Sequence, residues 1–536
     1  IPDLRRTVKI SLQIVFVLLI YTYSANVFAQ PAVDGAKALY ARVDSFIAED
    51  GNNVDSVFVD DVTGFTAGDT VLVYQNTGIE PKVSVLPDQT GEINSIYNTG
   101  KYAFFKIQEV ITLANCVVLN NTLPYSTFNS GERGQLIKVP VYSKARFTSA
   151  FSFPSWDQST GVGGVFPIIA HSKILLEDDI SADGKGFKGA VPIAAYNGGC
   201  SGVNSHQDDF YLETDSDSSG LKGEGATQFG FNYLRGNGAV INAGGGGNGK
   251  YSGGGGGSNK GQGGRGGDES TSCPSYKDIG GRGGYTLSSI YENYDDRIFF
   301  GGGGGASTQN IPGGYTATPG GNGGGIIIIL TDSLVGNGHT ISANGTSVSG
   351  QATAGGGGGG AGGVLVVDDF NYVNSLTLEV TGGEGGDVSG SPNTTGPGGG
   401  GGGGMICLSN STLPAGVSIN FLGGSSGTVN GVGFHNASNG SPGGRVFDLV
   451  TPIRGFLINA LPDNQTICEG MTPALISASK PKGGDGTYTY SWLVSTDQVS
   501  WSTAAGVNNQ RTYQPPQLFD TTYYRRAVSD GQIVDT

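Results

Sequence analysis

The side chains best able to do chemistry gather in one short stretch. His206, Asp208, Asp209, Glu213, Asp215 and Asp217 all fall between residues 206 and 217. Hydrolysis of a glycosidic bond needs two carboxylates roughly 5 to 9.5 Å apart, and a polysaccharide lyase needs a base beside calcium-binding acids. Asp208, Asp209 and Glu213 could supply either arrangement. The adjoining Asp215-Ser216-Asp217-Ser218-Ser219-Gly220 alternates oxygen donors like the opening of a calcium loop. That makes Asp215 and Asp217 candidate metal ligands, although no Glu closes the loop. Calcium is the one cofactor these residues suggest. The plainer reading of the whole stretch is a solvated acidic loop on an acidic protein, and no catalytic residue is assigned.

Other chemistry is missing from the text. His171, His206, His339 and His435 are scattered, with neither a histidine four residues away nor an adjacent Glu to build a zinc peptidase site. No G-x-S-x-G elbow stands at a strand–helix junction. No G-x-x-x-x-G-K-[ST] follows a strand, and G-x-G-x-x-G matches are expected by composition in a chain with 96 glycines. A net charge of −15, with no Lys/Arg cluster beyond the first residues, argues against nucleic acid. The sequence therefore reads as a non-enzyme. A carbohydrate-active solenoid enzyme is the alternative. Ice binding is a third reading, but it wants regular outward Thr rows and Thr here is only scattered.

The elements that would carry these residues begin with an export signal. Arg5, Arg6 and Lys9 precede an apolar run from Ile10 to Ile20, and Val27-Phe28-Ala29 offers a cleavage site before Gln30. Residues 1–29 are expected to be a secretory signal peptide. After its removal no segment is long enough to span a bilayer; the purest apolar run, Ile326 to Leu330, has the length of a strand. Export permits disulfides. Of Cys116, Cys200, Cys273, Cys407 and Cys468, none forms C-x-x-C, and Cys200 with Cys273 is the candidate pair because both lie in one glycine-rich insertion. An Ile at position 1 and an unfinished pattern at Thr536 suggest a fragment of a longer reading frame.

The chain reads as all-β. Residues 45–150 alternate β-branched and aromatic strands with Gly and Asn turns, which predicts a small barrel or sandwich. The only helical period lies at residues 32–42. Residues 151–451 carry a repeat. Apolar runs follow glycine pairs at Val165, and again at Ile326, Val364, Met405 and Arg445, the last four spaced by 38, 41 and 40 residues. A second strand ends in glycine 18 or 19 residues after each start: Ile180 to Gly184, Ile341 to Gly345, Leu378 to Gly382, Ile419 to Gly423. Val240 to Gly244 looks like a stray copy. Two short strands cannot bury their own apolar face, whereas stacked units can, so a β-solenoid is expected. The tracts Gly355–Gly360 and Gly398–Gly404 are either tight corners with positive φ or extended polyproline-II-like strands. Residues 190–300 interrupt the repeat and read as an elaborated surface loop, where a binding face is expected.

From residue 452 glycine thins out. Cys468-Glu469-Gly470, Gly483-Gly484-Asp485-Gly486-Thr487-Tyr488-Thr489-Tyr490-Ser491-Trp492, Thr512-Tyr513-Gln514-Pro515-Pro516 and Thr522-Tyr523-Tyr524-Arg525-Arg526 fit an incomplete immunoglobulin-like sandwich over 452–536. This series resembles the tandem Ig-like repeats of large cell-surface adhesins of gliding Bacteroidota, cargo of the type IX secretion system. Two further stretches share that resemblance: Gly64-Phe65-x-x-Gly68-Asp69-x-Val71-Leu72-x-x-Gln75 with Val139-Pro140-x-Tyr142, and Trp156-Asp157-x-Ser159-Thr160-Gly161 with Ser181-Ala182-Asp183-Gly184. The resemblance implies an extracellular adhesin at the outer cell surface. Its partners would be the export machinery and an external surface or polysaccharide. Such repeats often carry a second Cys near their end; Gly531-Gln532-Ile533 has none, so Cys468 lacks the expected partner.

Overall fold

The computed structural model describes residues 38–48, 54–83, 91–123, 132–149, 151–195, 219–227, 234–273, 280–293, 296–310, 314–369, 371–390 and 394–536. Residues 1–29, expected to be a signal peptide, lie outside these. The fold is all-β. Among the described residues no helix is long and apolar enough to cross a membrane.

Six antiparallel strands close a barrel: β1 (Leu39–Ala48), β2 (Val54–Val59), β3 (Thr70–Thr77), β4 (Tyr102–Ile111), β5 (Cys116–Leu123) and β6 (Arg133–Lys138), in the order β1-β2-β5-β4-β3-β6. Ala41, Val43, Val57, Val71, Val73, Phe105, Val117 and Leu136 fill its interior. β1 corrects the helical reading of residues 32–42, of which 38–42 are described. Its small and β-branched side chains alternate inward, and the barrel needs a strand to join β2 to β6. Closure overrides the local helical period.

The repeat forms two stacked parallel sheets. The large one runs β7 (Val141–Phe147), β8 (Val165–Leu176), β10 (Ile326–Val335), β12 (Val364–Asp368), β14 (Met405–Leu408) and β16 (Gly444–Val446), and the smaller one β9 (Ile180–Ser181), β11 (Thr340–Ser342), β13 (Leu376–Glu379) and β15 (Val417–Asn420). The registers are the ones the sequence repeat predicts: Val165, Ile326, Val364 and Met405 are opposite one another, and so are Ile180, Ile341, Leu378 and Ile419. The large sheet is apolar on both faces. Ile327, Ile329, Leu365, Val367 and Ile406 face the small sheet. Ile326, Ile328, Leu330, Val366 and Met405 face the outer wall of the barrel, where Leu72, Tyr74, Tyr102 and Phe104 meet them. Burial on both faces explains why the five residues from Ile326 to Leu330 never alternate with polar ones.

The glycine tracts take the extended alternative, not the corners. Neither Gly355–Gly360 nor Gly398–Gly404 contains a positive φ. Gly253 and Gly256 donate to Gly267 and Gly264, Gly254 and Gly257 to Gly356 and Gly359, and Gly255 and Ser258 to Gly245 and Asn242, at 2.8–2.9 Å. Each neighbour recurs every third residue. Three residues per turn with no internal hydrogen bond is polyproline-II geometry, and here the donors are satisfied laterally by parallel and antiparallel neighbours. Glycine is obligatory for this spacing: a Cβ on Gly358 would lie 2.0 Å from the carbonyl oxygen of Gly255, and one on Gly304 2.0 Å from that of Gly358.

Residues 452–536 form a small two-sheet sandwich. β17 (Ile476–Ser477) pairs with β20 (Thr512–Tyr513). β19 (Ser502–Thr503), β18 (Thr489–Ser495), β21 (Tyr523–Ser529) and β22 (Val534–Asp535) form the other sheet. Trp492, stacked on Tyr513 at 5.4 Å, is its core. The sandwich is docked: Phe104 N donates to Pro452 O and Arg454 N to Phe104 O, joining it to the barrel.

Candidate functional site

The acidic stretch does not supply a described site. His206, Asp208, Asp209, Glu213, Asp215 and Asp217 lie outside the described residues, as does Cys200. Cys273 is disulfide-bonded, while Cys116, Cys407 and Cys468 are free thiols. His171, His339 and His435 are far from forming a cluster, and among the described residues no three His, Cys, Asp or Glu side chains are grouped to hold a metal ion.

Much of the described part of 190–300 is interior, which corrects the surface-loop expectation for those residues; 196–218, 228–233, 274–279 and 294–295 lie outside the described residues. Residues 242–248, 252–258 and 261–267 run through the glycine bundle, and most are buried. Burying their backbone is feasible because most of their N–H groups find a carbonyl in a neighbouring segment. Val240 to Ala243 is a tight turn and not a further repeat strand. Charged side chains lock this region in place. Lys222, 6% exposed, donates to the carbonyls of Gly236 and Gly238 at 3.0 and 2.6 Å, and burial holds its amine well below the usual range. Glu224 accepts from Trp156 Nε1 at 2.6 Å and from Lys188 N at 2.9 Å, and burial pushes its carboxyl up to about 7. Both groups are spent on tertiary structure and neither faces an open cleft.

What the repeat does present is an outer face of polar rows. On the small sheet Ile341, Ala343, Leu378 and Val380 point inward, so the residues between them point out. Register places Thr340, Thr377 and Ser418 in one row, and Ser181, Ser342, Glu379 and Asn420 in the next. Such rows repeat at the ~4.8 Å strand spacing. Their members bond to one another: Thr377 Oγ1 to Ser418 Oγ at 3.0 Å, and Thr340 N to Asp179 Oδ1 at 2.8 Å. The rows continue onto the glycine segments. Asn344 N donates to Asp183 Oδ1 at 2.6 Å and Thr381 Oγ1 to Asn344 Oδ1 at 3.0 Å. Ser425 Oγ donates to Glu384 Oε1 at 3.1 Å, and Thr428 Oγ1 to Asp387 Oδ1 at 2.8 Å. Lateral bonding holds many of these side chains, so much of the face is preorganised, with hydroxyls, amides and carboxylates at constant intervals and less ordering entropy left to lose on contact; Ser342 continues its row but is buried. The sequence showed the repeats but not these rows, because the polar residue differs from copy to copy; only strand register makes them a row.

A second unusual place is the seam between the repeat and the C-terminal sandwich. Asp368 and Asp369 end β12, 7% and 4% exposed. Asp368 pairs with Lys482 of the sandwich. Burial pushes the Asp369 carboxyl up to about 8, with the Tyr372 hydroxyl as its side-chain neighbour. His171, Asp332, Ile458, Ser479 and Lys480 line an enclosed gap on the same seam.

Residues 458–535 match the model of a family described as a domain of unknown function, DUF8696. No curated protein and no solved structure matches the chain.

Proposed function

We propose that this is an exported, non-catalytic surface protein that makes multivalent contact with a polysaccharide or another extended surface. The observation that carries this reading is the outer polar face. It offers repeated hydrogen-bonding groups at strand spacing on a scaffold whose backbone is cross-bonded in three directions. A ligand that itself repeats can engage many weak sites at once, and linked weak contacts multiply into strong avidity. Asp179, Asp183, Glu379, Glu384 and Asp387 make the face acidic, which suits a neutral or cationic partner and disfavours polyanions. The resemblance to exported Bacteroidota adhesins supports the same reading and would place the protein at the outer cell surface.

The test is cellular and chemical together. Surface labelling should reach the protein on intact cells, and deletion should lower attachment. Replacing Asp183, Glu384 and Asp387 together by Lys should weaken binding to immobilised polysaccharide in a chain that still unfolds cooperatively, with a melting temperature lowered by the lost lateral bonds. Release of reducing ends from a polysaccharide panel, abolished by Asp208→Ala or Glu213→Ala, would instead establish a carbohydrate-active enzyme.

A further inference from the structure

The pairing of Lys482 with Asp368 has features that an ordinary ion pair does not need. It is remote in sequence and joins two different units, the end of β12 in the repeat and the segment entering the C-terminal sandwich. Their side chains are only 12% and 10% exposed. Beside them Asp369 is buried next to the Tyr372 hydroxyl, and Asp332 Oδ1 is buried without a hydrogen-bond partner. A charged pair taken out of water carries a desolvation penalty that its mutual attraction often fails to recover. Here the pair sits next to a further carboxyl that water does not solvate.

We propose that Lys482 and Asp368 react with each other to form an intramolecular amide bond between Lys482 Nζ and Asp368 Cγ, with Asp369 as the proton carrier.

The chemistry needs a nucleophile, an electrophile and an acid in a dry site, and the seam holds all three. The first step is transfer of a proton within the pair, from the Lys482 ammonium to the Asp368 carboxylate, giving an amine and a carboxylic acid. The nitrogen lone pair then attacks Cγ. Burial pushes the Asp369 carboxyl up to about 8, so it carries a proton at neutral pH and can act as a general acid. It protonates the departing hydroxyl, which leaves as water, and recovers a proton from the new amide nitrogen. One C–N bond forms, one C–O bond breaks and one water is released; no oxidant, reductant or co-reactant enters. The surrounding fold holds Lys482 Nζ against the Asp368 carboxyl, so the step is unimolecular and gains the rate advantage of fixed proximity. The product is neutral, which removes the buried charges that made the pair unfavourable. The bond would staple the sandwich to the repeat sheet independently of any disulfide. This inference does not depend on the adhesive reading.

Mass spectrometry decides it. The intact purified chain, reduced, should weigh one water less than its sequence. A protease digest should contain a branched peptide joining the segment around Lys482 to that around Asp368. Lys482→Arg should restore the full mass. Asp369→Asn should still unfold cooperatively but remain largely uncrosslinked. A wild-type chain at full mass, with Lys482 and Asp368 in separate linear peptides, would overturn the proposal. So would a water loss that persists in Lys482→Arg, since that marks a cyclised aspartate. A fully crosslinked Asp369→Asn would remove Asp369 from the mechanism. Should that variant fail to fold, the wild-type mass and the branched peptide still decide whether the bond exists.

Discussion

At the scale of single residues, the glycines of the two long tracts are held by distance and not by conformational freedom. Gly358 has an ordinary φ, yet a methyl group there would meet the carbonyl oxygen of Gly255 at 2.0 Å. Because that neighbour is backbone, relief requires moving a whole segment. Gly358→Ala should therefore destabilise the fold by at least the ~1–3 kcal/mol of overpacking, read as a lowered melting temperature. Gly433→Ala, where the nearest atom is 3.8 Å away, should leave it unchanged. Asp369 gives a second prediction. Its folded carboxyl is raised from 3.8 to about 8, so the native state holds a proton that the unfolded state releases first. Its contribution is complete below pH 3.8 and is lost as pH rises through about 8. Asp369→Asn should flatten that part of the stability–pH curve in a variant that also carries Lys482→Arg. An unaltered slope would mean that Asp369 is ionised in the folded protein.

At the scale of elements, the stack has a built-in stop. Gly362 N donates to Gly402 O, and Gly403 N to Ser441 O, each passing a hydrogen bond to the next repeat. Register aligns Met405 with Gly444, so the residue equivalent to Gly403 is Pro442, which has no N–H to pass on. Proline at the exposed end of a stack is a known protection against edge-to-edge addition. Pro442→Gly restores the donor and should produce higher oligomers with rising concentration in size-exclusion chromatography with light scattering, where the parent chain shows none. In the interior of the stack, Ile328 is fully buried against the barrel. Ile328→Ala should lower unfolding free energy by about 2–5 kcal/mol in chemical denaturation.

At the scale of the whole molecule, barrel, repeat and sandwich share one apolar core. Leu72 and Phe104 of the barrel, Ile326 and Val364 of the repeat, and Ile453 and Ile458 of the C-terminal segment belong to one buried cluster. Truncation after Val450 uncovers Phe104 and removes the partners of its backbone N–H and C=O, as well as the Gly455 carbonyl that Asn120 Nδ2 reaches at 2.8 Å. The shortened chain should melt at a lower temperature. An unchanged melting curve would show that the sandwich stabilises nothing beyond itself. The amino-acid sequence by itself determined the all-β class, the start and register of the repeat strands at Val165, Ile326, Val364 and Met405 (the final strand, read at Arg445, begins one residue earlier, with Gly444 opposite Met405), and the position of most barrel strands. These follow from local period and from the need of each two-stranded unit for a neighbour. It left β1 concealed, since Ala, Leu and Tyr read as helix until barrel closure demands a strand. The path of the glycine tracts was equally undecided, because poly-Gly carries no side-chain pattern; only the lateral hydrogen bonds between segments distant in sequence choose the extended form. The polar rows and the Lys482–Asp368 seam depend on residues 37 to 161 positions apart meeting across folded elements, and no local period encodes such a meeting.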